Sequence, residues 1–215
     1  MLSEFMTPCY DNFMIVFIDG ENFRQLLVGV LEKEKLVQKN EPFRIDLVGL
    51  FKEVLSCKNI KIKYYLSQIK LPKGHTPAPY IQKQVDSIRT YMRKWNINLK
   101  NPDIKIIKAG NLKVKEAKPC SKCGATNERL MEKGVDVRLA IDIFKASLNK
   151  NLKQIAVVSS DTDICPAYHE AKKRGVKINY ICFEPFRNKA VSASANTTII
   201  ITSEILKKYL TLPSI

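Results

Sequence analysis

Ile155-Ala-Val-Val-Ser-Ser-Asp-Thr-Asp163 is the stretch that decides how this chain is read. The small and β-branched apolar residues from Ile155 to Val158 give way to a Ser-Ser turn and then to two aspartates one residue apart. A short continuous apolar run bounded by turn residues predicts a strand buried on both faces, the usual state of a central parallel strand. Ile164 to Arg174 then predicts a helix that stops at Gly175. In parallel α/β sheets, ligands bind where strands end and helices begin. Asp161 and Asp163 stand at such a place, with Ser159 beside them. The plain alternative is a helix-capping aspartate with a solvated neighbour.

The same pattern occurs near the start of the chain. Phe13-Met-Ile-Val-Phe-Ile18 is apolar, Asp19-Gly-Glu-Asn22 follows at once, and Phe23 to Leu31 predicts a helix. Asn22 lies three residues after Asp19. It either returns to the same site as an amide ligand or phosphate contact, or caps the helix. A further acid, Asp136, follows Lys133-Gly-Val135 and opens a helix whose apolar residues are Val137, Ala140, Ile141, Phe144 and Leu148. Their three- and four-residue steps predict the stripe that packs on the core.

If these junctions share one sheet edge, Asp19, Asp136, Asp161 and Asp163 converge. Two unit charges about 4 Å apart repel by roughly 4 kcal/mol at an effective dielectric of about 20. Such a cluster therefore needs a cation or shared protons. Oxygen-only ligands suit Mg²⁺ or Mn²⁺ rather than Zn²⁺. A hard cation on carboxylates in a basic protein points to in-line attack of water on a phosphodiester.

The whole composition agrees with a polyanionic partner. The chain of 215 residues carries 36 Lys plus Arg against 21 Asp plus Glu, a formal charge of +15. That excess is an argument about partners, most simply nucleic acid. An apolar fraction of 45% supports one α/β domain with insertions. No run of about 18 apolar residues predicts a membrane span, and no signal-peptide pattern opens the chain. Six scattered cysteines predict a reducing, cytoplasmic setting. Two histidines, His75 and His169, leave little material for a His-based metal site or a Ser-His-Asp triad.

Residues 1–12 read as a lead-in, 13–202 as the domain, and 203–215 as a C-terminal helix and tail with Ser203 as its cap. Strands are expected near 13–18, 60–66, 104–108, 154–158 and 177–182, with a short one at 198–202. The first and fourth must be adjacent to bring Asp19 and Asp161 together. Asn111 to Lys118 is expected to fold back on Ile104–Ala109 as a hairpin arm, and Glu184 to Ala193 to be a loop carrying Arg187. Helices are predicted over 45–55 and 80–95. The second places Ile81, Val85, Ile88, Met92 and Trp95 on the core and leaves Lys83, Arg89, Arg93 and Lys94 mostly off it. Those cations either track a phosphate backbone or form a solvated face. Strands alternating with helices predict a three-layer α/β sandwich around a mainly parallel sheet.

An insertion near 110–130 carries Pro119-Cys120-Ser-Lys-Cys123-Gly124. A zinc site needs four ligands, and neither a second Cys-x-x-Cys nor a nearby histidine supplies the rest. Zinc at Cys120 and Cys123 is therefore the less favoured reading. The others are a half-site shared across a homodimer and a tight turn with two thiols.

Phe17-Ile-Asp19-Gly-Glu-Asn22, Glu132-Lys-Gly-Val-Asp136-Val-Arg-Leu-Ala-Ile-Asp142, and Ser159-Ser-Asp161-Thr-Asp163 followed by Pro166 and Gly175 together resemble the NYN domain, in the LabA-like branch of the PIN-like nuclease superfamily. The resemblance runs from about Met14 to Ile201. It implies a PIN-like, Rossmann-like fold and a metal-dependent ribonuclease role, with Asp19, Asp136, Asp161 and Asp163 as catalytic and metal-holding residues. Asp142 also matches. Six residues beyond Asp136 it leaves the helix opposite the apolar stripe, so it is expected to support the site from behind. Ser160 stands where the family often has Gly, Ile164 where it has Phe, and Asn196 where an aspartate of the site's rim is common.

The leading expectation is an Mg²⁺- or Mn²⁺-dependent RNA endonuclease favouring single strands. Lys133 and Arg138 would face the extra negative charge of the reacting phosphate, and Arg89, Arg93 and Arg187 would contact the strand. The alternative is an RNA-binding or scaffold module with a degenerate or unused site. A small-molecule phosphohydrolase would want Asp-x-Asp after its first strand, where this chain has Asp19-Gly-Glu.

Overall fold

The computed structural model describes residues 13–39, 41–71, 76–116 and 128–212. In chain order the elements are β1 (Met14–Asp19), α1 (Gly20–Lys33), β2 (Arg44–Ile45), α2 (Leu47–Val54), β3 (Ile60–Ile69), α3 (Pro79–Trp95), β4 (Ile104–Glu116), β5 (Glu128–Lys133), α4 (Val135–Ser147), β6 (Gln154–Val158), α5 (Cys165–Lys173), β7 (Lys177–Phe183), α6 (Lys189–Ser194), β8 (Thr197–Ile201), α7 (Ser203–Tyr209) and β9 (Leu210–Thr211). Single 3₁₀ turns at Asn96–Leu99, Thr162–Ile164 and Glu184–Phe186 join them.

The main sheet has the order β5-β4-β3-β1-β6-β7-β8. Neighbours are parallel except β4 and β5, which run antiparallel. β2 and β9 make a separate two-stranded piece. The chain builds outward from β1 through β3 to β5, then returns to lay β6 on the other side of β1. The crevice beyond the carboxyl ends of β1 and β6 is thus a topological switch point, where open α/β sheets bind ligands.

Strand alternation divides the core into two. Met14, Val16 and Ile18 of β1 join Phe23, Leu27, Leu50, Phe51, Trp95 and Leu206 on one face, under α1, α2, α3 and α7. Phe17 of β1 joins Ile155, Val157, Leu139, Ile143, Tyr168 and Val191 on the other, under α4, α5 and α6. Both faces of the central strands are therefore covered, as the unbroken apolar runs predict. Each such side chain contributes roughly 1.5–3 kcal/mol on burial. The result is the expected three-layer sandwich, with β1 and β6 adjacent in register Ile15↔Ile155 to Ile18↔Val158.

Some local expectations are corrected. Asn111 to Glu116 does not fold back on Ile104–Ala109. It continues β4, and the antiparallel partner is β5, a strand the sequence reading missed. Its Glu-Arg-Leu-Met-Glu-Lys pattern acquires meaning only against β4. The expected loop at 184–193 contains most of α6. Thr202, not Ser203, caps α7 by accepting the Ile205 amide at 3.4 Å.

Three of the five residues expected to form the core stripe of α4 lie on the outer face, while Ala140 packs against the core. Val137 is 64% exposed, Ile141 43% and Leu148 57%, while Val135, Leu139, Asp142, Ile143 and Ser147 are buried. Both sets of residues have helical spacing. The set that wins is the one that meets Phe17, Tyr65 and Ile155 in the core beneath it. Among the described residues no helix is long and apolar enough to cross a membrane.

Candidate active site

The carboxyl ends of β1 and β6 deliver the first acids. Asp19 is the last residue of β1 and caps α1, its Oδ1 accepting the Asn22 amide at 3.2 Å. The chain turns here without room for a side chain at the next residue. A Cβ on Gly20 would stand 2.3 Å from Tyr64 Cε1 and 2.4 Å from the Tyr65 carbonyl oxygen. The Tyr64 hydroxyl also donates to the Gly20 carbonyl at 2.8 Å. Asp19 is only 8% exposed, and Ser159 Oγ donates to its Oδ2 at 3.5 Å. Burial, with repulsion from Asp136 and Asp161 added, pushes its carboxyl up to about 6; the Asn22 amide and the Ser159 hydroxyl oppose the shift.

The turn after β6 is held on several sides. The Ser160 amide donates to Asn22 Oδ1 at 3.1 Å, and Asn22 Nδ2 donates to Ser160 Oγ at 2.9 Å. Asn188 Nδ2 donates to the Ser160 carbonyl at 2.8 Å. The Asp161 amide donates to Ser159 Oγ at 3.2 Å. The Asn22 side chain does not cap α1, a role that Asp19 fills. It ties the start of α1 to the end of β6. Ser160 makes that tie with both its amide and its hydroxyl.

Asp161 Oδ1 accepts the Asp163 amide at 2.9 Å, so it caps the 3₁₀ turn that leads to α5. The capping role and membership of the acid cluster coexist in one side chain. Asp163 is solvent-exposed.

Asp136 arrives from the other direction. The β4–β5 hairpin returns to the sheet edge at Lys133, and Gly134 turns the chain into α4 at φ +99°, a left-handed conformation that glycine adopts without strain. Asp136 sits in the first helical turn. Partial burial and then repulsion from Asp161 and Asp163 raise its pKa. The three junctions thus meet at one edge, as the sequence pattern requires.

Glu132 joins them and was not anticipated. It pairs across the hairpin with Leu112. Its side chain keeps solvent access, yet partial desolvation and the charges of Asp19, Asp136 and Glu21 push its carboxyl up to about 7. Its place in Glu132-Lys-Gly-Val-Asp136 was visible in the sequence, but its direction depends on β5 pairing with β4.

Asp142 is buried at 7% exposure, and it is neutralised rather than crowded. The Tyr65 hydroxyl donates to Oδ2 at 2.9 Å, and Arg138 Nε donates to the same oxygen at 3.1 Å. It does lie opposite the stripe drawn from the sequence, and most of that stripe is exposed. Arg138 is therefore engaged by Asp142.

The remaining candidate cations are dispersed. Lys133 is exposed at the end of β5. Arg187 is exposed on the loop after β7, its Nε donating to Ser192 Oγ at 3.2 Å, next to the Asn188 that binds the Ser160 turn. Arg89 and Arg93 are exposed on α3. Asn196 does not reach the rim: it accepts the Ile178 amide at 2.9 Å, at the start of β7 and so at the opposite edge of the sheet. Replacing an acid there leaves the cluster untouched. Cys120 and Cys123 lie outside the described residues.

The acids are gathered without closing round one point. Among the described residues no group of three His, Cys, Asp or Glu side chains is arranged to hold a metal ion. The donor chemistry still fits a hard cation: the donors are carboxylate oxygens, and their mutual repulsion is uncompensated.

The NYN domain family model matches residues 13–204. An uncharacterized protein of Methanocaldococcus jannaschii is 39% identical over 70 residues, 33% of this chain and 29% of that protein, so the match spans less than a third of the relative's length. A crystal structure of a protein of unknown function from Vibrio parahaemolyticus superposes with a TM-score of 0.49 at 13% identity, over 96% of this chain and 100% of that one.

Proposed function

Because this chain belongs to the NYN domain family, within the PIN-like nuclease superfamily, we propose that it is a divalent-metal-dependent ribonuclease cutting RNA at its cluster of acids. The observation that carries this reading is the meeting of Asp19, Asp136 and Asp161 at the switch point, each from a separate junction, with the Asp19 carboxyl raised to about 6 by burial and by its acidic neighbours. A protein gains no stability from such an arrangement, so its use lies in what the acids can bind.

Asp19, Asp136, Asp161 and Asp163 would hold Mg²⁺ or Mn²⁺, with Glu132 at the margin. The cation, when bound, would offset the acids' charge and polarise the scissile phosphate. The chain's own residues supply the rest. Asn22, Ser159 and Ser160 lock the turn that presents Asp161. Asp136, partly solvated, orients the attacking water. Lys133, beside Gly134, faces the charge that grows on the phosphate oxygens. Asp142, with Arg138 on the same oxygen, accepts the Tyr65 hydroxyl of β3 and so fixes the helix that carries Asp136.

Purified protein incubated with labelled single-stranded RNA and DNA, in Mn²⁺, Mg²⁺ or EDTA, tests the reading. Cleavage of RNA with either metal and none in EDTA is the expected outcome. The absence of a closed trio of ligands favours a second reading, an RNA-binding or scaffold module with an unused site. RNA binding without turnover under every metal condition would put that reading first.

A further inference from the structure

A cleft of about 930 Å³ runs along α3, and of its lining the reaction described above uses Glu132 at most. Glu21 and Glu132 stand at one end of its lining. Glu21 follows Asp19 by two residues and Glu132 feels the charges of Asp19 and Asp136, so this end of the cleft lies toward the acids. Ile88, Met92, Leu112 and Leu130 give it an apolar floor between α3 and the β4–β5 hairpin. Ile106 of β4, 41% exposed, lies in the same floor. Arg89, Arg93 and Lys108, all solvent-exposed, stand along the lining.

One wall is rigid. Arg24 is held by Glu21 through two hydrogen bonds, the Nε bond at 2.9 Å, and lies 4.1 Å over the Tyr91 ring. It is thereby committed to the wall. Arg89 and Arg93 are held only weakly, by Asp86 at 3.4 Å and by the Arg89 carbonyl at 3.4 Å. They remain available to an incoming anion.

We infer that this cleft is a single-strand subsite, which seats one or two unpaired bases of RNA on the floor formed by Ile88, Met92, Leu112 and Leu130 while Arg89, Arg93 and Lys108 hold the flanking phosphates. The inference rests on the nuclease reading for where the strand goes next, namely to the acids beyond Glu132. Its chemistry follows from the lining. An apolar floor edged by exposed cations matches the two surfaces of a nucleotide, a flat apolar base and an anionic backbone. Aliphatic side chains and a methionine adapt to any base, so the subsite reads single-strandedness more than sequence. A duplex cannot enter without unpairing and unstacking. Phosphates are drawn to the arginines along one side of the floor. This arrangement sets the strand's path across the cleft.

Binding is measured by fluorescence anisotropy on the full chain in EDTA, with a labelled oligouridine octamer, the same octamer carrying internal abasic sites, and the octamer annealed to its complement. The intact single strand is expected to bind about tenfold tighter than the duplex and about fivefold tighter than the abasic strand. Arg89→Ala with Arg93→Ala should lower the log–log salt slope by about 1.4, two phosphate contacts at roughly 0.7 each. Met92→Glu should weaken the single strand about fivefold and bring it level with the abasic one. Circular dichroism melts identify any variant that has lost its fold. Equal affinity for all three ligands, or folded variants that bind as the parent does, would overturn the subsite. Cleavage with Mn²⁺, followed on the same samples, separates the two ideas. Cleavage with unselective binding sinks the subsite and leaves the nuclease. Selective binding without cleavage leaves the subsite and sinks the nuclease.

Discussion

Two aspartates in this molecule are almost equally hidden, Asp19 at 8% exposure and Asp142 at 7%, and their surroundings are opposite. Around Asp142 the chain assembles donors: a tyrosine hydroxyl from β3 and a guanidinium one helical turn away. Around Asp19 it assembles more acids. A buried carboxylate is ordinarily tolerated because something neutralises it. Asp142 obeys that rule within the fold. Asp19 is crowded by like charges, and under the proposed function a bound cation would offset them. The difference teaches that burial alone does not distinguish a neutralised acid from a crowded one, and that the sign of the surrounding charge does.

Substitution should separate the two regions, most strongly in activity. Asp19→Asn and Asp161→Asn are each expected to lower metal-dependent RNA cleavage on the order of 100-fold or more, with RNA affinity kept or raised. Asp142→Asn should lower it far less, since it retains an acceptor for Tyr65. Cleavage rates of the three variants against the parent, under one metal concentration, make the check. Parent-like cleavage by Asp161→Asn would place any nuclease activity elsewhere or in a contaminant.

Stability should move in the reverse sense. The folded pKa of Asp19 lies at about 6, above its ordinary value of 3.8. The folded state therefore binds the proton more tightly, and stability falls as pH rises from about 4 to about 6, by up to about 3 kcal/mol. Asp19→Asn removes this loss while keeping an oxygen to cap α1. At pH 7.5 it should melt higher than the parent, and near pH 4 the two should converge. Denaturant unfolding at both pH values measures this. A variant less stable than the parent at pH 7.5 would mean that Asp19 is a structural acid like Asp142.

Asp142→Ala should destabilise the fold by about 2 kcal/mol. It leaves the buried Tyr65 hydroxyl without its acceptor. The Arg138 charge is half exposed, so water limits the damage. The smallest effect belongs to the outer face of α4. Val137→Ser and Leu148→Ser should each change stability by less than about 0.5 kcal/mol, because these side chains are already in water. Thermal melts of both beside Leu139→Ala, expected to cost about 2–5 kcal/mol, would show which stripe of α4 packs on the core.

The α4 result explains why part of the design was legible and part was not. Apolar runs ending in acids mark strand-to-helix junctions whatever surrounds them, so Asp19, Asp161 and Asp163 could be placed from order alone. α4 carries two stripes with helical spacing, and amphipathic periodicity has no sign. Only the contact with Phe17 and Tyr65 tells which stripe is inside. The rim expectation for Asn196 came from the family resemblance; its place just ahead of β8 puts it at the amino ends of the parallel strands.

The sequence by itself determined the alternation of strands and helices, the buried character of β1 and β6, and the presence of a carboxylate at each of three junctions. These follow from short-range rules, in which residue type and spacing set the local backbone. Tertiary structure alone decided that β5 pairs with β4, that Glu132 thereby joins the acids, that Arg138 is engaged by Asp142, and that a cleft runs along α3. Each of these depends on which distant segments meet. A side chain's charge environment is set by neighbours in space, and local spacing carries no record of them.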